Sequence, residues 1–130
     1  MKVVFRLFFL SLMIAGLAAP AGAVTISAHL NAAPKSFTGG CPKVITFKGT
    51  ISASNWSPTA LKHVQFSFTR SDGALSPVQT LRFSGNATKA VSTTWTLGGP
   101  KTKYSGWEAI HITYPTTLDS NKAHFKLKCN

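Results

Sequence analysis

The chain has 130 residues, with fourteen Lys and Arg against three Asp and Glu, a formal net charge of +11 and 44% hydrophobic side chains. That apolar share excludes a disordered polyelectrolyte, and the length allows one domain with a real core. Catalysis by paired carboxylates would need two of Asp72, Glu108 and Asp119 side by side, so the composition argues against it.

Lys2 and Arg6 precede an apolar run over residues 7–17, and Ala21-Gly22-Ala23 follows as a small-x-small cleavage pattern. Residues 1–23 are read as a cleaved signal peptide, leaving residues 24–130 as a single domain. The run is short for a bilayer span and no second one follows, so no transmembrane segment is expected after cleavage. The chain is expected to be exported, to the periplasm or as a secreted protein. Removing Lys2 and Arg6 leaves twelve basic side chains against three acidic ones, near +9 over about 107 residues. Such a surplus attracts acidic polysaccharide, lipopolysaccharide, phospholipid headgroups and nucleic acid alike. Specific nucleic-acid recognition is not expected. Cys41 and Cys129 are the two cysteines, and in an oxidising compartment a bridge between them is the expectation.

In chain order, Val24, Ile26, Ala28 and Leu30 alternate with polar residues and predict an edge strand. Residues 31–40, with Pro34, Gly39 and Gly40, read as a loop. Ile45, Phe47, Ile51 and Ala53 share one face of the next strand, where Gly49 points to a bulge or a close approach. A turn over residues 55–60 leads to the central strand, with Val64, Phe66 and Phe68 inward and His63, Gln65, Ser67 and Thr69 outward. Asp72-Gly73 closes a hairpin onto residues 78–83. Val91, Thr93, Trp95 and Leu97 alternate in a further strand with Trp95 as a core anchor. Residues 101–106 read as a basic loop, residues 107–114 as a strand, residues 115–121 as a connection, and residues 122–129 as the last strand. Seven short strands with turns every 8 to 12 residues predict an all-β, antiparallel sandwich. Reversal of consecutive strands would bring Cys41 and Cys129 to the same end.

Residues 64–73, Ser76-Pro77-Val78, residues 91–99, Gly106-Trp107 and Ser120-Asn121-Lys122-Ala123 resemble the pattern of a small immunoglobulin-like domain recurring in secreted bacterial proteins. The resemblance covers most of the chain between Cys41 and Cys129. It implies an immunoglobulin-like β-sandwich of about seven strands and a bacterial source. It carries no assigned activity, hence no catalytic residue and no cofactor. The two cysteines flank the fold where antibody domains bridge its middle, and Phe66 and Phe68 occupy the central strand where a Trp would stand.

Three sets of residues are candidates for function. Reflecting the last two long strands about residues 115–121 sets His111 opposite His124, with His63 outward on the neighbouring strand, an arrangement that could hold copper, zinc or nickel. The same register sets Trp107 opposite Lys128 and Ala109 opposite Lys126. An outward Trp107 bordered by Lys43, Lys101, Lys103, Lys126 and Lys128 suits sugar rings bearing acidic groups, or bases and phosphates. Arg70 and Glu108, inward on neighbouring strands, are read as an ion pair. No Gly-x-Ser-x-Gly elbow, phosphate loop or His-Glu-x-x-His occurs, so no enzyme is expected. The expected function is a non-catalytic binding domain for anionic polysaccharide or another polyanion, with protein docking or a structural part in the bacterial envelope, and weak metal binding in the periplasm, as alternatives.

Overall fold

Strand alternation passes from sequence to structure most plainly in the final strand, where Ala123, Phe125, Leu127 and Cys129 are buried and His124, Lys126 and Lys128 exposed. The structure is a computed structural model that describes residues 23–130; the expected signal peptide therefore lies outside the described residues save Ala23. Among them run nine strands: β1 (Thr25–Ala33), β2 (Ser36–Gly39), β3 (Lys43–Ser54), β4 (His63–Arg70), β5 (Gln79–Arg82), β6 (Ala87–Leu97), β7 (Lys103–Tyr114), β8 (Leu118–Asp119) and β9 (Ala123–Cys129). No helix among the described residues is long and apolar enough to cross a membrane.

Two sheets face each other. The smaller has the order β1-β3-β6, the larger β2-β9-β7-β4-β5 with β8 paired to β7. Leu30, Ile45, Phe47 and Ile51 of the first meet Val64, Phe66, Phe68, Ile110, Ile112 and Phe125 of the second in one core. Aromatic edges clasp the sheets, with Phe125 5.8 Å from Phe47 and 5.4 Å from Trp95 between ring centroids. The expected anchor role of Trp95 holds, since the ring is buried.

Cys41 and Cys129 are bridged, with Cα atoms 5.6 Å apart. Gly98 supports the bridge twice over. Its φ of +94° suits glycine, and a Cβ there would stand 2.7 Å from Cys129 Sγ and 3.1 Å from Cys41 Sγ. Gly49 makes a close approach and no bulge: the β3–β6 register runs unbroken from Lys43↔Leu97 to Ala53↔Ala87, and a Cβ on Gly49 would lie 2.1 Å from the His29 carbonyl oxygen.

Three segments differ from expectation. The loop over residues 31–40 contains β2, which pairs in parallel with β9 (Ser36↔Lys126, Thr38↔Lys128). The basic loop over residues 101–106 is largely the start of β7. The connection over residues 115–121 turns early, about Pro115, so that Leu118 and Asp119 already pair back on Ile112 and His111. This early turn moves the β7–β9 register by four residues, to Lys103↔Lys128, Ser105↔Lys126 and Trp107↔His124. The polar cluster Asp119-Ser120-Asn121 had suggested turn, but its side chains are spent on strand rims: Ser120 Oγ accepts from the Ile110 N–H at 2.8 Å, and Asn121 exchanges two hydrogen bonds of 2.9 and 2.8 Å with the Leu30 backbone.

Candidate functional site

The outer face of the larger sheet carries most of the residues singled out by sequence. On β7 the outward positions are Lys103, Ser105, Trp107, Ala109 and His111; on β9 they are His124, Lys126 and Lys128. Lys103 and Lys128 are direct cross-strand partners, Lys126 faces Ser105, and Thr38 and Ser36 flank the two β9 lysines from β2. Lys35, just before β2, is exposed, and its carbonyl accepts from the Lys126 N–H at 2.8 Å. Like charges directly opposite each other destabilise a sheet, so this ladder carries a standing cost that an anion would relieve. Its lysines have no competing carboxylates, because Asp72 is bound to Arg70, Asp119 to His111, and Glu108 is buried.

The five predicted lysines gather at the disulfide end or next to it. Lys43 Nζ lies 4.5 Å from the Phe37 ring centroid, and the Lys101 N–H donates to the Asn130 carbonyl at 3.2 Å. Trp107 is displaced from that group. The corrected register puts it beside His124, four residues and about 13 Å along the strand from Lys128. Its cationic neighbour is Lys122, whose Nζ sits 4.6 Å from the ring centroid. The indole is half-buried and stands outside the core cluster.

The histidines do not converge as expected. His111 Nδ1 donates to Asp119 Oδ1 at 2.6 Å, His63 stacks on Tyr114 with centroids 4.6 Å apart, and His124 is exposed beside Trp107. The shifted register is the cause, since it replaces the expected His111–His124 facing pair by His111–Asp119 and Trp107–His124. Among the described residues no three His, Cys, Asp or Glu side chains are grouped to hold a metal ion.

The expected Arg70–Glu108 ion pair also resolves differently. The two residues are cross-strand partners. The Arg70 guanidinium, however, turns to Asp72, which it holds through Nε at 3.1 Å and through Nη2, and it stacks 4.2 Å over the Trp95 ring. Asp72 in turn accepts the Ala74 N–H at 3.0 Å, so the turn residue has priority for the cation. Hydrogen bonding to Arg70 holds the Asp72 carboxyl below its ordinary range and raises the arginine. Glu108 is left 2% exposed, with Oε2 lacking any hydrogen-bond partner. Burial pushes its carboxyl up to about 7, against the opposing pull of Arg70 and with a further push from Asp72.

No protein-family model matches the chain, and no curated protein sequence matches it. Solved structures do. The CARDB domain of a Pyrococcus furiosus protein, determined in complex with di-metal ions, aligns at a TM-score of 0.55 and 13% identity over 82% of this chain and 93% of that one. The fold is immunoglobulin-like. A β-glucosidase from Listeria innocua in complex with isofagomine aligns at a TM-score of 0.48 and 10% identity, over 82% of this chain and 16% of that one. At these identities the likeness concerns fold alone.

Proposed function

We propose that this chain is an exported bacterial binding domain, without catalytic function, whose larger sheet engages anionic polysaccharide through its outer face. The observation that carries the reading is the Lys103–Lys128 cross-strand pair, extended by Lys126 and Lys35 and flanked by the hydroxyls of Ser36, Thr38 and Ser105. A row of cations at strand spacing matches a linear polymer with repeated negative charge, and binding releases its condensed counterions. Purified protein applied in low salt to an immobilised heparin-type polysaccharide is expected to be retained and to elute as salt rises. Passage without retention at low salt would refute the proposal.

A second reading, docking of a protein strand, is favoured by β6. This edge strand has eleven residues in unbroken register with β3 alone, and residues 90–97 contain neither a charge nor a proline. Natural edges are normally blunted, as β1 is by the Asn121 side chain on Leu30. The occupant that matches its length and neutrality is β6 of a second copy, laid antiparallel. Sedimentation velocity would then show a concentration-dependent dimer abolished by Ser92→Pro, and a monomer at every concentration would refute it. The metal reading is not adopted, because the register keeps the three histidines apart.

A further inference from the structure

A recess of the outer face lies across β7, away from the lysine ladder. Its floor is Ala109, an outward position with only a methyl group, set between the two rings of Trp107 and His111 at two-residue spacing. Thr69, the cross-strand partner of Ala109 on β4, continues the floor. Leu75 forms one wall, held over β4 by its bridge to Thr69, and Asp119 and Lys122 form the other. The groove encloses about 370 Å³, enough for a small ring ligand, and most of its surface is apolar.

We propose that this groove seats a single sugar ring bearing a carboxylate, the end unit of the polysaccharide whose chain the lysine ladder would hold; the assignment rests on that polyanion reading. Trp107 and Leu75 present flat apolar surface to the C–H face of a sugar, the geometry in which an indole serves a saccharide. His111, fixed by Asp119 through Nδ1, keeps its second ring nitrogen for a hydroxyl. The carboxylate follows from charge accounting. The sequence has three acidic side chains, and none forms an ion pair with Lys122: Asp72 is held by Arg70, Asp119 of the same wall bonds His111, and Glu108 is buried in the core. Lys122 therefore has no acidic partner among the described residues, and its ammonium rests over the Trp107 ring at the groove wall. An anionic ring stacked on that indole would supply the missing counter-charge.

The test titrates purified protein with a uronic-acid trisaccharide, its neutral carboxyl-reduced counterpart and adenosine monophosphate, read by calorimetry and indole emission at fixed salt. The acidic trisaccharide is expected to bind one to one and tightest of the three. Trp107→Ala should weaken it by roughly 5- to 150-fold, the range for loss of one stacking platform. Ala109→Leu, which fills the floor, should abolish binding. Lys122→Gln should remove the preference for the acidic over the neutral sugar. Each variant is compared with wild type by thermal unfolding; Ala109 is 3% exposed, so Lys122→Gln, at an exposed position, carries the test if the substitutions at Trp107 or Ala109 do not fold. The triple variant of Lys103, Lys126 and Lys128 to Gln should keep trisaccharide affinity while losing polymer retention. Polymer retention without trisaccharide binding would overturn the groove and spare the ladder; loss of both would overturn both. Equal affinity for the neutral sugar, tighter binding of the nucleotide, or indifference to Ala109→Leu would each overturn the assignment.

Discussion

Glu108→Gln isolates the cost of a buried carboxylate. The side chain is 2% exposed, lacks a partner for Oε2, and titrates near 7 against an ordinary 4.5. Because the folded value is raised, the native state keeps a proton that the unfolded chain has released between pH 4.5 and 7. Stability from this group is therefore full below 4.5, falls as pH rises to about 7, and is flat above. At about 1.4 kcal/mol per pH unit, the loss amounts to about 3 kcal/mol. Glutamine has nearly the same shape without the charge, so the pH-dependent part of the difference between variant and wild type reads the ionisation of Glu108. Urea unfolding at pH 4, 6 and 8 should give near-equal stabilities at pH 4 and a variant about 3 kcal/mol more stable at pH 8. In melting temperature this is on the order of 10 °C for a domain of this size. Asp72, with its lowered carboxyl, acts in the opposite sense and only below its ordinary 3.8, and it is common to both proteins. A difference that does not vary with pH, or a variant less stable at pH 8, would show that Arg70 pairs with the ionised Glu108 after all.

Reduction of the Cys41–Cys129 bridge should add two hydrogens to the intact mass and destabilise the domain by about 4 to 5 kcal/mol, the chain-entropy value for a separation of 88 residues; an unchanged mass would contradict it. Gly49→Ala should cost at least about 2 kcal/mol, since a Cβ 2.1 Å from the His29 carbonyl forces β1 off β3. A neutral result in denaturant titration would mean that the strands lie further apart. Asn121→Ala leaves the Leu30 N–H and C=O without their partners, with an expected loss of roughly 1 to 3 kcal/mol and faster hydrogen exchange at Leu30; unaltered exchange there would remove its role in closing the β1 rim.

The strands were legible wherever burial is one-sided, because period-2 alternation survives into the folded state, as in Val64, Phe66 and Phe68 of β4. The bridge was legible from cysteine number and strand direction. Register was not. A single proline, Pro115, sets where the β7 hairpin turns, and the neighbouring Asp119-Ser120-Asn121 carried an equally strong turn signal. The four-residue shift that followed separated the histidines and moved Trp107 from Lys128 to His124. The short β2 escaped because Pro34, Gly39 and Gly40 bracket only four strand residues. Glu108 was correctly placed inward opposite Arg70. Its lost ion pair was hidden because the competing partner, Asp72, lies only two residues along the chain and also holds the Ala74 N–H. The groove had one visible sign, the small Ala109 between Trp107 and His111, but its walls come from the Leu75 loop and the β8 return, which only the folded chain brings together.

The most direct test of the polyanion account is the salt dependence of affinity for a uronate polymer, compared between wild type and the triple variant of Lys103, Lys126 and Lys128 to Gln. Wild-type affinity is expected to fall steeply and linearly on logarithmic axes, and the variant's slope should be shallower by roughly 2 as its counterion release is lost. An unchanged slope would contradict the account, because the anion would then be held by cations other than the ladder between β7 and β9.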